Sequence, residues 1–131
     1  MIEKVKYIHH TARFTNGIDI EIWAKDGKLF YNKKNMPIRP DGSNYAMDAE
    51  SSLSIEEFEK RLASLKIEEW EDICTPTKDE WVLDGSDWSV KVKYKGRKAI
   101  KKEGENAYPD NWNKFIMLLK QIAGEFDTIT F

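Results

Sequence analysis

The sequence predicts an α+β fold: an antiparallel sheet of four to five strands with two helices on one face, in the order β-β-α-β-β-α. Three observations carry it. Residues 84–112 write out a turn, an alternating strand, a second turn, a second strand and the start of an amphipathic helix. Residues 18–31 alternate across a two-residue turn signal. Residues 53–65 combine helix-starting signals with one apolar stripe.

In chain order, residues 5–14 form a first strand with imperfect alternation, ended by Asn16-Gly17. The next run is regular, with Ile18, Ile20, Ile22 and Ala24 on one side and Asp19 and Glu21 on the other. Asp26-Gly27 is a two-residue hairpin turn, because both residues tolerate positive φ. That turn pairs Ala24 with Leu29 and Ile22 with Tyr31, so the apolar face continues across the hairpin. Trp23 and Phe30 then pair on the opposite face, which is either covered or an adhesive site.

Residues 32–53 read as a long loop with Pro37, Pro40 and Gly42, the length at which loops carry function. The first helix follows. Ser54 caps it, Glu57 completes the capping box, and Leu53 with Phe58 fits the hydrophobic staple. Ile55, Phe58, Leu62 and Leu65 make its stripe.

After a short run at 67–74, Pro76 breaks the chain and Trp81-Val82-Leu83 reads as a short strand. In the second hairpin, Val90, Val92 and Ile100 share a face only if the loop is odd in length. A three-residue turn Tyr94-Lys95-Gly96 satisfies this, with Gly96 left-handed. Lys91, Lys93, Arg97 and Lys101 then gather on the opposite face. The last helix follows Pro109, with Asp110 as cap, Trp112, Phe115, Ile116, Leu119 and Ile122 as the buried stripe, and Gly124 as the stop.

A chain of 131 residues with 40% hydrophobic and 34% charged residues reads as one globular domain, 1–131, able to bury a core unaided. Net charge is −2, so no global field draws it to nucleic acid or membrane. The single cysteine, Cys74, excludes an intrachain disulfide and agrees with a reducing, cytoplasmic setting. The N-terminus lacks the apolar core of a signal peptide, and no stretch approaches a membrane span. Charge is segregated locally: residues 68–87 are acidic, whereas Lys91, Lys93, Lys95, Arg97, Lys98, Lys101 and Lys102 fall in a stretch without acids.

Asp84-Gly85 followed by Trp88, then Gly104, Asn106-Ala107-Tyr108-Pro109 and Asn111-Trp112, resembles a signature of small proteins from Gram-positive bacteria and their mobile elements. The resemblance covers the last third of the chain, and 104–112 is its most specific part. It implies a bacterial, cytosolic setting and transfers no activity. Each signature residue also has a structural account: glycines for turns, Asn106 and Asp110 for capping, Pro109 to end the strand, Trp88 and Trp112 to pack.

The candidate chemistry is sparse. His9 and His10 are adjacent on a strand and point to opposite faces, so they do not share a metal; both read as surface or half-buried residues. Cys74 sits beside Glu71 and Asp72, which disfavour a thiolate. Asp79, Glu80, Asp84 and Asp87 lack calcium-loop spacing and read as turn formers. No phosphate loop, nucleophile elbow or zinc spacing is present. The reading leans away from an enzyme and expects no cofactor and no metal. It expects a protein-interaction factor of accessory, inhibitor or immunity type, acting through Lys91, Lys93, Arg97, Lys101, Trp23, Phe30 and Tyr45. The partner is then another protein, without a membrane. The alternatives are a nucleic-acid-binding module using the lysine hairpin, and a small-ligand binder or enzyme.

Overall fold

The computed structural model describes residues 1–10, 17–36, 48–75, 87–105 and 107–124. Its centre is one sheet built from β1 (Ile2–His10), β2 (Gly17–Lys25), β3 (Lys28–Met36), β4 (Ala49–Glu50), β5 (Ile73–Cys74), β6 (Asp87–Tyr94) and β7 (Ile100–Glu105). The strand order is β4-β3-β2-β1-β6-β7-β5. All neighbours are antiparallel except β5, which runs parallel to β7. The helices are α1 (Ile55–Ser64) and α2 (Trp112–Ala123), with a 3-10 turn at Ile67–Glu69.

The α+β class stands, but among the described residues the sheet has seven strands rather than four to five. The two extra strands, β4 and β5, are two residues long each. Two residues cannot display a period of two, so alternation gives no sign of them. Strand structure also enters both ends of the expected loop 32–53: β3 runs on to Met36, and Ala49–Glu50 pairs with β3. The rest of that loop, Tyr45 included, and the expected strand at Trp81-Val82-Leu83 lie outside the described residues.

The first hairpin has the expected register. Asp26 and Gly27 hold φ of 53° and 75°, Ala24 pairs with Leu29, and Trp23 with Phe30. Helix α1 also starts as its sequence dictates, with Ser54 Oγ accepting from the Glu57 amide at 3.1 Å. The Glu57 carboxylate meets Arg61 one turn on, at 2.9 Å. In α2 the stripe Trp112, Phe115, Ile116, Leu119 and Ile122 is buried, and Gly124 ends the helix at φ 76°.

Two expectations about the second half are corrected. The cap of α2 is Asn111, not Asp110, and its side chain does not bond the helix. Instead Asn111 accepts from Trp70 Nε1 at 2.9 Å and donates to the Leu65 carbonyl at 2.7 Å, tying α2 to the end of α1. The second hairpin is odd-looped as expected, and Gly96 is left-handed at φ 77°. Its register is shifted by two, however: Lys91 faces Lys101 and Val92 faces Ile100, so the turn is Lys95-Gly96-Arg97.

The physical reason is Trp88. In the observed register Trp88 lies opposite Gly104, and its indole occupies the space a side chain there would need. The expected register would have put Lys102 opposite it. Gly104 therefore serves close packing rather than a turn.

Strand residues of one parity are buried with the helix stripes in a single core: Val5 and Tyr7, Ile18 to Ile22, Trp88 to Val92, with Phe58, Phe115 and Leu119. The core is aromatic where α2 crosses β1 and β6. Trp112 touches Trp88, Trp70, Tyr7, Tyr108 and Phe115.

Candidate interaction face

Residues of the other parity make a second face, on which no described element packs. The registers of the long strands fix its rows. One row runs Phe30, Trp23, Lys4, Lys93. The next runs Asn32, Glu21, Lys6, Lys91, Lys101. A third runs Lys34, Asp19, Ile8, Ser89, Glu103. The last carries Gly17, His10, Asp87 and Glu105. Two features expected separately, the Trp23–Phe30 pair and the lysines of the second hairpin, thus share one surface.

Trp23 and Phe30 are half-buried and stack, with ring centroids 6.3 Å apart and planes 20° apart. Lys91 and Lys101 face each other across β6 and β7, both exposed and with no ion-pair partner among the described residues. Lys93 folds back onto the turn, donating to the Tyr94 carbonyl at 3.0 Å and to the Arg97 carbonyl. Arg97 is placed by the turn, not by a strand. It lies exposed over the Tyr94 ring, 5.9 Å from its centroid.

Lys4 and Lys6 of β1 also join the face, and sequence reasoning missed them. Their signal was the alternation of Lys4, Lys6, Ile8 and His10 against Val5, Tyr7 and His9. Both are partly neutralised: Lys4 bonds Glu21 at 2.8 Å, and Lys6 reaches Glu21 at 3.6 Å and Asp19 at 3.8 Å. The Lys4 hydrogen bond holds the Glu21 carboxyl below its usual range.

The opposite edge of the face is acidic. Glu103 and Glu105 are exposed and carry no ion-pair partner among the described residues, and Asp87 lies 3.3 Å from His10 Nδ1. With Ile8, Ser89 and the exposed Ile73 they line a shallow cleft of about 520 Å³.

Beneath the sheet, the expectation for His9 is corrected, and one lysine of the acid-free stretch is buried. His9 is only 2% exposed, not a surface or half-buried residue. Its Nδ1 lies 2.6 Å from the Tyr7 hydroxyl and its Nε2 3.2 Å from that of Tyr108, inside the aromatic core. Loss of solvation, then the neighbouring His10, push its pKa down to about 4. Burial pushes the Tyr7 hydroxyl up. Lys102, one of the lysines in the acid-free stretch, lies on the core face at 7% exposure. It donates to the Trp70 carbonyl at 2.8 Å, the Glu68 carbonyl at 3.4 Å and Asp72 at 2.7 Å. That ammonium holds the Asp72 carboxyl below its usual range.

Cys74 is buried, and burial followed by the Glu71 charge raises its thiol. It lines a cleft of about 490 Å³ with Trp70, Tyr108 and Asn111. The Lys102 charge opposes this rise but does not reverse it. Asp79, Glu80 and Asp84 lie outside the described residues. Among the described residues no three His, Cys, Asp or Glu side chains gather as a metal-ligand set, and no helix is long and apolar enough to cross a membrane.

The described signature residues also find their places, while Gly85 and Asn106 lie outside the described residues. Trp88 packs on Gly104 and donates to the Ala107 carbonyl at 2.8 Å; Tyr108 reaches His9; Asn111 links Trp70 and Leu65; Trp112 joins the aromatic core. They hold the last helix to the sheet. Comparison of the chain with protein-family models, with curated proteins and with solved structures gives no match.

Proposed function

We propose that this chain is a non-enzymatic protein-interaction factor of accessory type, an inhibitor or immunity-like protein, and that it binds its partner through the sheet face on which no described element packs. The observation that supports this most is the union of the Trp23–Phe30 stack and the Lys91–Lys101 pair on that one surface. A stacked aromatic pair supplies the apolar anchor from which interfaces draw most of their affinity. Unpaired rim charges set orientation and association rate.

The nucleic-acid reading is weaker for an electrostatic reason. Phosphate binding draws its affinity from cations that release counterions. Here Lys4 and Lys6 already meet carboxylates, Lys93 meets carbonyls, and Asp19, Glu21, Glu103 and Glu105 are interspersed. Mixed charge suits a protein surface and repels a polyanion at half its extent. A cytoplasmic, bacterial setting belongs to the same proposal.

Affinity capture from the native host tests this. Immobilised wild type should retain one protein, lost when Lys91→Glu and Lys101→Glu are combined and when Trp23→Ser is made. Retention of nucleic acid instead, with a steep salt dependence, would move the assignment to nucleic-acid binding. Retention of the same protein by all variants would refute the face.

A further inference from the structure

We infer that the partner meets this sheet face with a short acidic segment, two carboxylates of which bridge Lys91 and Lys101. The inference rests on the reading of the face as an interface and names the chemistry of what docks there.

The two lysines are held close together. They stand directly opposite each other on β6 and β7. The Glu103 amide donates to the Asp72 carbonyl on the side of β5, so Lys101, two residues earlier, also turns its backbone polar groups away from β6. Lys91 and Lys101 therefore form a non-hydrogen-bonded pair, the closer of the two kinds, with Cα atoms about 4.5 Å apart. Like charges directly opposite each other destabilise a sheet. Protection against edge pairing accounts for lysines on an outer strand, but β6 lies inside the sheet, between β1 and β7.

The chain neutralises the other lysines of this face and leaves these two. Strand β2 supplies Glu21 to Lys4, and Glu21 with Asp19 to Lys6. Lys93 meets turn carbonyls and, at 4.0 Å, Glu3. The Lys6–Asp19 contact, at 3.8 Å, joins residues two apart in register, so a diagonal carboxylate is within reach on this sheet. Glu103 holds that diagonal position relative to Lys91, yet neither it nor any other carboxylate among the described residues pairs with Lys91 or Lys101.

The surroundings limit the length of the anion. Lys98 joins the pair on the wall of a cleft of about 590 Å³ beside Ile100, and Glu68 and Asp72 stand in the same cleft. Along β7, Glu103 and then Glu105 follow Lys101 on this face. A line of phosphates running along β7 or across the cleft meets carboxylates, whereas two side-chain carboxylates end before them. Alternate residues of an extended segment lie about 6–7 Å apart on one side. The flexible four-carbon stems of lysine span the difference from their own spacing.

Nuclear magnetic resonance titration of the full chain tests this with three probes. They are a blocked octapeptide with two glutamates two positions apart in a glycine–serine background, the same peptide with glutamines, and an eight-nucleotide oligothymidylate. The glutamate peptide should shift the amide signals of Lys91, Lys98 and Lys101, and the glutamine peptide none of them. Combining Lys91→Gln with Lys101→Gln should weaken the glutamate peptide about tenfold, each exposed ion pair contributing a few-fold. Combining Lys91→Arg with Lys101→Arg should hold its affinity within about twofold, because both charges remain. Both positions are exposed, so melting temperatures should not change. A glutamate peptide that shifts none of these signals, or that binds the glutamine variant equally well, would overturn the inference. Tighter binding of the oligothymidylate at the same residues would also overturn it and assign the lysines to nucleic acid.

Photo-crosslinking in the native host from position 89, beside the pair on β6, leaves both lysines in place and separates this inference from the reading it rests on. An adduct on a partner segment with two acidic residues close together supports both. An adduct on a segment without acidic residues sinks this inference and leaves the face standing as an interface. No adduct from position 89 or from any other position on the face sinks the interface reading, and the inference with it.

Discussion

Gly104→Ala is the most incisive perturbation of the fold. A methyl group at 104 would sit 2.5 Å from Trp88 Nε1, with Cε2 and Cζ2 at 2.6 and 2.7 Å. Ordinary carbon contacts lie near 3.5–4.0 Å, so the indole or the strand must give by about 1 Å. The indole has nowhere to go. Trp112 lies 4.6 Å away centroid to centroid, and Trp70 and Tyr108 flank it at 6.1 and 6.3 Å. Moving it also breaks the bond to the Ala107 carbonyl. Overpacking costs about 1–3 kcal/mol, and the lost hydrogen bond about 1 kcal/mol more. The smaller unfolded-state entropy of alanine offsets roughly 0.5–1 kcal/mol. The net expectation is a loss of about 2–3 kcal/mol, read as a lower urea midpoint and a melting temperature down by roughly 8–12 °C. Two comparisons isolate the cause. Gly96→Ala meets nothing within 4 Å, so it should cost only the roughly 1 kcal/mol of its left-handed φ. In a Trp88→Leu background, Gly104→Ala should cost almost nothing further. A Gly104→Ala midpoint indistinguishable from wild type, or an equal cost in both backgrounds, would refute the reasoning.

Other outcomes follow from the same structure. His9 is neutral when folded and its pKa is lowered to about 4 from 6.5. The unfolded chain therefore binds the proton first on acidification, so stability is full above about pH 6.5 and declines toward pH 4 by about 3 kcal/mol; His9→Gln should flatten that decline in urea titrations at successive pH values. Lys102→Met leaves the Trp70 carbonyl without its buried donor and should cost about 1–3 kcal/mol in the same assay. Ser54→Ala removes the cap of α1 and should cost about 1 kcal/mol, seen as a shifted midpoint at unchanged slope. Replacing Lys91, Lys93, Arg97 and Lys101 by Ser should leave the melting temperature within a few degrees, since three of the four are exposed and the fourth meets turn carbonyls and, at 4.0 Å, the largely exposed Glu3 carboxylate.

The fold was legible wherever a local signal specified it. Asp26-Gly27 set the register of β2 against β3 because its turn permits only one pairing, and Ser54 with Glu57 placed the start of α1. The second hairpin was legible in parity but not in register. Loop parity decides which face a residue joins, whereas the choice between registers two apart depended on the contact between Trp88 and Gly104. Parity put Lys102 on the face of Ile100, where it lies, but gave no sign of what would satisfy its charge there. Its burial is satisfied by two carbonyls and Asp72, groups 30 to 34 positions upstream that no local pattern announces. His9 was misread because alternation gives its direction but not what covers it, and Tyr108 and Trp112 arrive from the far end of the chain. The candidate face was half visible. Its residues were named strand by strand, but their union required β1 to pair between the two hairpins, a long-range choice that hydrophobic pattern leaves open.

The central proposal, that the sheet face on which no described element packs is where this protein meets its partner, is tested most directly by site-specific photo-crosslinking in the native host. A photo-reactive phenylalanine analogue is placed in turn at positions 91, 101 and 23 on the face, and at 117 and 114 on the exposed side of α2. The account predicts discrete crosslinked protein adducts from the three face positions and none from the two helix positions. Adducts of equal or greater yield from 117 and 114, with the face positions silent, would contradict it.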